Sequence, residues 1–116
     1  MLVTSTSAAA SVTPGPAMHK ARAFFTVDEL LNGDVLVAGG FDVGATFTGE
    51  PFTAFDRPGT NVDIYDPANG TWTSGGTLSS PRAGHSGVLL RGNRGVLVIG
   101  GLAHPPIASA TTDIIQ

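Results

Sequence analysis

His85 stands three residues after Arg82, and Asp28 and Glu29 stand side by side six residues after Arg22. These groups have the means for proton transfer or anion binding. An imidazole acting as general base needs a nucleophile to activate and a carboxylate to orient it. No such partner is recognisable from spacing, so His85 reads as a packed, hydrogen-bonded histidine. His19 and His104 lie in Pro-flanked stretches and show no metal-ligand spacing with each other or with His85. Arg22 and Arg82 are either a pair of cations held ready for a carboxylate or sugar, or structural arginines bonded to nearby backbone and carboxylates. Their equivalent placement in two copies of one pattern favours the structural role. Asp28 and Glu29 are either an acidic site on an inner strand or part of a degenerate, partly exposed strand. An unpartnered carboxylate cannot be buried without a cost of several kcal/mol.

Composition narrows the rest. The chain has 116 residues, enough for one small domain, with 16 Gly, 8 Pro and a net charge of -3. Turn-formers spread through β-branched runs suit an all-β protein. No basic stripe is present to hold nucleic acid or an anionic membrane. No apolar run approaches the length that spans a bilayer. Cysteine is absent, which removes disulfides, thiolate metal sites and cysteine nucleophiles. The first ten residues lack the positive start and the long apolar core of a signal peptide. The reading is therefore of a mature chain or a piece of a longer one.

Two stretches say nearly the same thing. Arg22-Ala23-Phe24-Phe25-Thr26, Leu30-Leu31-Asn32-Gly33 and Val35-Leu36-Val37-Ala38-Gly39-Gly40 are matched by a second set. That set is Arg82-Ala83-Gly84-His85-Ser86, Leu89-Leu90-Arg91-Gly92-Asn93 and Val96-Leu97-Val98-Ile99-Gly100-Gly101. The step is about 60 residues, a period that means stacked supersecondary units. After the glycine pairs, Val62-Asp63-Ile64-Tyr65-Asp66-Pro67 is echoed by Thr112-Asp113-Ile114-Ile115, and Asn69-Gly70-Thr71-Trp72-Thr73 lies between the copies.

Taken together, these residues resemble the kelch motif. That motif has a lead Arg and His, a strand, a turn, a hydrophobic strand ending in Gly-Gly, a strand ending in Tyr-Asp-Pro and a strand carrying Trp. The resemblance covers most of the chain, from about Arg22 to Gln116. It departs at Phe25, where the pattern expects the histidine that the second copy has as His85. It implies four-stranded blades of a β-propeller, with Arg22, Gly39, Gly40, Tyr65, Trp72, His85, Gly100 and Gly101 as structural positions. A closed propeller needs about four blades or more, and this chain holds about two kelch units. The expected fold is therefore all-β: two adjacent antiparallel blades, the second incomplete, in an open ring. Residues 1–17 form a linker or remnant strand, 18–77 the first blade and 78–116 the second. Galactose oxidase-like enzymes also carry such blades, but use copper with a cysteine-crosslinked tyrosine. With no Cys and a single Tyr, Tyr65, that chemistry is not present here. Low Lys content and Thr/Ser/Gly richness resemble secreted bacterial kelch proteins, an association that points toward secretion or the cell surface.

Strand by strand, Phe24–Leu31 reads as an inner strand and Asn32-Gly33 as a two-residue hairpin turn, since both residues tolerate positive φ. Val35–Ala38 reads as a doubly buried strand, Val62–Tyr65 as the third strand and Thr71–Thr73 as the outer one. Tyr65 and Trp72 should pack across the outer strands while their polar tips find partners. Asn69-Gly70-Thr71 fits a glycosylation sequon, but a hairpin turn explains it equally.

The connections Phe41–Asn61, Ser74–Gly84 and Leu102–Thr111 should share one face. The first is about ten residues longer than its counterpart, and extra length in a repeat often maps to the binding face. It carries Phe41, Phe47, Phe52 and Phe55. Phe41 or Phe55 should fold back. Phe47 and Phe52, with Asp56, Arg57 and Arg82, are the candidate contacts, aromatic and Arg residues being common anchors. Capping of the exposed blade is the alternative role for this loop.

The functional reading is a non-enzymatic binding module for a protein or glycan, with no cofactor and no metal. Its alternative is a fragment of a larger secreted carbohydrate-active enzyme whose catalytic residues lie elsewhere. Further kelch blades, or other copies meeting the open blade faces, complete the range of partners.

Overall fold

The computed structural model describes residues 10–42, 58–103 and 107–116. The described chain is all-β, without helix. Its strands are β1 (Arg22–Ala23), β2 (Thr26–Glu29), β3 (Val35–Ala38), β4 (Phe41–Asp42), β5 (Gly59–Asp66), β6 (Thr71–Arg82), β7 (Ser86–Leu89), β8 (Val96–Ile99) and β9 (Thr112–Ile115). A four-stranded antiparallel sheet has the order β2-β3-β5-β6, and a three-stranded one the order β7-β8-β9. The two do not close into a barrel. β1 and β4 form a short ribbon beside the first sheet.

The period-2 alternation of a strand decides what each sheet buries. Register places Thr26, Ala38 and Val62 in one row and Asp28, Leu36 and Ile64 in the next, on one face of the first sheet. On the second sheet, Gly87, Val98 and Asp113 share a row, as do Leu89, Val96 and Ile115. These two faces meet. Leu36, Ala38, Val62, Leu78, Val96 and Val98 form the buried core between them, with Leu30, Leu89 and Ile115 packed against it. The core is thus a seam between consecutive units, as a stacked repeat requires.

β6 supplies part of that seam. The sequence reading makes Ser74–Gly84 a connection; instead the strand continues through Arg82. Its pairing with β5 shifts register between Val62 and Asp63 and again between Asn61 and Gly59. The bulged segment carries Leu78 into the core, where it is 5% exposed. Ser79 crosses to the second sheet, its N–H and Oγ donating to Asp113 at 3.1 and 2.6 Å.

The inner strand is also shorter than Phe24–Leu31. Phe24 has φ 58° and its counterpart Gly84 has φ 63°, so both copies kink before the strand begins. Of Asn32 and Gly33, only Gly33 has positive φ, at 91°. Leu30 N–H donates to Asp34 O at 2.8 Å and Gly33 N–H to Leu30 O at 2.9 Å. The connection is therefore a three-residue loop closed by a left-handed glycine, not a two-residue turn. In the second copy Gly92 and Asn93 both have positive φ, 72° and 60°. The extra residue there changes the turn while keeping the strands in register.

Gly101 and Gly33 separate steric fit from backbone freedom. Both have φ near +90°, but a Cβ at Gly101 would stand 2.7 Å from Ala83 O and 2.9 Å from the His85 Cβ, whereas at Gly33 nothing lies within 4 Å. Gly33→Ala should cost about 1 kcal/mol from left-handed strain alone. Gly101→Ala should cost clearly more, because neighbouring backbone must also move. Urea titration of both variants checks this, and equal losses would contradict the close-contact account.

Candidate functional site

Among the described residues, the buried polar side chains Asp63, Arg82 and His85 gather near the Gly-Gly ends of the two sheets. Arg22 Nη1 donates to Gly39 O at 3.3 Å and to Asn61 O at 3.1 Å, and Nη2 donates to Asp63 at 2.5 Å. Arg82 repeats the arrangement. Its Nη1 donates to Gly100 O at 3.1 Å and Thr111 O at 2.8 Å. Its Nη2 donates to Asp113 at 3.2 Å, with Ser80 and Thr111 hydroxyls at 3.2 and 3.0 Å. Arg82 is wholly buried. In each copy one guanidinium ties the carbonyl of the first glycine to the strand returning from the connection. This geometry commits the forks to their own chain. Each leaves its Nε without a partner.

The glycine pairs exist because of this crowding. A Cβ at Gly39 would stand 2.7 Å from both Arg82 O and His85 Cε1, and one at Gly40 2.7 Å from Ala23 O. Gly39 N–H bonds Asn61 O, and Gly100 N–H bonds Thr111 O, at 2.9 and 3.0 Å. Gly40 N–H donates to Arg82 O at 2.9 Å, and Gly84 N–H to Phe24 O at 2.8 Å, stitching the first unit to the second.

His85 lies in this seam. Its Nε2 and the Thr26 hydroxyl share a 2.8 Å hydrogen bond, and its Nδ1 is buried without a partner. Burial first, then the positive charge of Arg82, push its pKa below the usual imidazole range, against a backbone hydrogen bond at Ala38 that acts the other way. A histidine so placed is neutral and holds two sheets together. Among the described residues no carboxylate hydrogen-bonds it, and the Thr26 hydroxyl is its side-chain partner.

Asp28 also faces the seam. A Cβ at Gly87 would come within 2.6 Å of Asp28 Oδ2, so the second sheet leaves a gap in which the carboxylate fits. Asp28 Oδ2 is buried with no hydrogen-bond partner, and burial raises its pKa. Glu29, next along β2, is exposed. The pair is split between the two faces of the sheet and forms no joint acidic site.

Tyr65 and Trp72 are direct cross-strand partners, with ring centroids 5.0 Å apart at 44°. Trp72 Nε1 donates to Pro16 O at 3.0 Å. Asn69 sits in the turn before Trp72, its amide donating to Asp66 Oδ2 at 2.6 Å, with Gly70 at φ 66°.

Of the long connection, Phe41 is buried at 3% exposure and stacks edge-on against Phe24, centroids 5.8 Å apart. Its base is fastened by the Phe41↔Pro58 bridge and a 2.7 Å bond from Gly59 N–H to Gly40 O. Phe47, Phe52, Phe55, Asp56 and Arg57 lie outside the described residues, as does His104. The second connection leaves from the same end of its sheet, fastened by the Ala83↔Leu102 and Leu102↔Ala108 bridges. Among the described residues, no group of three or more His, Cys, Asp or Glu side chains could hold a metal ion. At the opposite, hairpin-turn end lies a groove of about 820 Å³ between the sheets, lined by Leu30, Leu36, Ile64, Leu89 and Ile115 among others.

Sequence reasoning missed the partners rather than the arginines. Asp63 and Asp113 are legible in hindsight as the only acidic residues repeated at one place in both copies. His19, whose Nδ1 lies 3.0 Å from Asp63 Oδ1, is the counterpart of Ser79 at Asp113. Nothing in its own neighbourhood announces that role. No family model matches the chain, and no curated protein matches it.

Two outcomes follow for pH and charge. His85 loses pKa on folding, so the native state binds fewer protons. Its contribution is fully present above the unfolded imidazole pKa and is lost as pH falls below about 6.5. His85→Gln should therefore flatten the stability profile between pH 7 and pH 5, read from urea midpoints. Asp28 runs oppositely: its raised pKa means stability falls as pH rises above the unfolded carboxyl value. Asp28→Asn should stabilise the protein at pH 7 and leave it unchanged at pH 3. Arg82→Met, which removes a wholly buried guanidinium from the partly buried Asp113 and two carbonyls, should cost about 3 kcal/mol.

Proposed function

We propose that this chain is a non-enzymatic binding module built on kelch-type blades, recognising a protein or glycan through the connections at the Gly-Gly end of its sheets. The observation that carries the reading is the division of labour there. The repeated polar residues Arg22, Arg82, Asp63 and Asp113, and with them His85, all turn inward to hydrogen-bond their own chain. The connections that leave this end are fastened at their bases by Phe41↔Pro58 and Ala83↔Leu102. A rigid frame holding variable connections is the usual construction of a recognition surface. The recognition chemistry then belongs to the connections, above all to Phe47, Phe52, Asp56 and Arg57. Aromatic and Arg residues are frequent anchors for both protein and sugar partners.

Replacing residues 43–57 with a short Gly-Ser linker tests the proposal, because the bridge at its base is untouched. Binding would be screened on a glycan array and against candidate proteins, then measured by titration. The expected outcome is loss of binding at least tenfold, with the unfolding midpoint shifted by no more than a surface change, about 1 kcal/mol. Full retained affinity would remove the connection from the site. A large loss of stability would assign it a capping role instead.

A further inference from the structure

The seam between the two sheets has a complementary pair of faces, and each sheet carries the missing half of another such seam on its outer side. Register makes the correspondence residue by residue. On the seam side of the first sheet stand the rows Asp28, Leu36, Ile64 and Thr26, Ala38, Val62. Their equivalents on the outer side of the second sheet are Val88, Leu97, Ile114 and Ser86, Ile99, Thr112. On the seam side of the second sheet stand Gly87, Val98, Asp113 and Leu89, Val96, Ile115. Their equivalents on the outer side of the first are Val27, Val37, Asp63 and Glu29, Val35, Tyr65.

Most of the outward positions are apolar, the exposed Glu29 standing where the seam has Leu89, and Val37 and Asp63 being already covered. Val27 is 55% exposed, Val88 47%, Ile99 43% and Ile114 57%. Val88, Ile99 and Ile114 share the outer face of the second sheet, and exposed apolar surface gathered on one sheet face marks an interface. One change between the halves is informative. Inside the seam Asp28 fits against Gly87. At the equivalent outer positions stand Val88 and Val27, both apolar; a side chain in the glycine's place sets the two faces farther apart at this row than in the seam, where a Cβ at Gly87 would stand 2.6 Å from Asp28 Oδ2.

The lead-in segment fits the same operation. Met18–Arg22 follows the path of Leu78–Arg82: His19 and Arg22 meet Asp63 as Ser79 and Arg82 meet Asp113. Thr71–Gly76, just before Leu78, pairs along β5. Residues 11–16, just before Met18, stand at the equivalent sequence positions and are exposed. Among the described residues β9 is paired only to β8. Docking one copy on another by the repeat operation therefore lays residues 11–16 of one along the open edge of β9 of the other.

We infer that the occupant of these faces is a second copy of this chain, docked head to tail, with Val88, Leu97, Ile99 and Ile114 of one copy against Val27 and Val35 of the next. Such a heterologous contact closes into a ring or grows as a filament according to its rotation.

The chain has no cysteine, so introduced thiols report alone. Val27 and Val88 point outward on the two outer faces, and a disulfide requires Cβ atoms about 4 Å apart, so the two positions cannot be bridged within one chain. Val27→Cys and Val88→Cys proteins would be purified separately, mixed in equal amounts and oxidised mildly. The expected product is the mixed disulfide dimer, several-fold in excess of either homodimer. The chain carrying both substitutions should give a ladder of covalent oligomers. Both positions are exposed, so folding is preserved. As a second arm, Val88→Lys should convert the native oligomer to monomer in sedimentation without changing the far-UV spectrum. A native chain that sediments as monomer at its highest soluble concentration would overturn the inference. So would a random mixture of homodimers and heterodimers.

Discussion

A guanidinium offers five N–H donors in one rigid plane and cannot discard its charge, so burying it commits the surrounding chain to supply acceptors in fixed places. Two such commitments organise this protein. Arg22 and Arg82 each collect the carbonyl of a glycine, the carbonyl of the strand that returns from the next connection, and an aspartate on that returning strand. The three acceptors come from segments far apart in sequence. Satisfying one side chain therefore fixes where the third strand lies, how it meets the second, and where the connection between them starts and ends. The glycines beside these arginines answer a separate crowding, from the backbone of Ala23, Arg82 and Ala83 and from His85, which leaves no room for a Cβ.

The two sheets differ in how fully they satisfy the pattern. In the first, β6 covers the outer edge of β5 and then bulges away to become part of the seam. In the second, β9 meets only β8 among the described residues. The seam itself mixes hydrophobic contact with a few polar joints. Thr26–His85 and the backbone bonds at Gly40 and Gly84 set the relative rotation of the sheets. The leucine and valine layer supplies most of the favourable free energy, since burial of apolar area is non-directional and large.

The all-β class and the antiparallel order of the strands were legible because Val-Leu-Val-Ala and Val-Leu-Val-Ile, each ending in Gly-Gly, recur with their turns. Repetition separates a signal from composition. The course of Ser74–Arg82 was not legible. Ser, Gly and Pro have low strand propensity, and this segment is extended because its irregular pairing with β5 and the bonds to Asp113 hold it. The Asn32-Gly33 turn was misread for a related reason: the dipeptide permits several loops, and the hydrogen bond between Leu30 and Asp34 chooses among them. Of the candidate contacts, Arg82 proved legible in position but not in employment. A sequence shows that an arginine repeats, and only the fold shows which oxygens surround it.

β6 is hydrogen-bonded along one sheet and packed into the core of the boundary with the next. In a linear array of units, stability is the sum of what each unit holds alone and what each boundary adds. Here a single strand belongs to both terms at once. Fraying of β6 from β5 would strip Leu78 from the core and Ser79 from Asp113 in the same event, so the boundary has no independent melting of its own. Loss of β6 therefore weakens the first sheet and the boundary in one step.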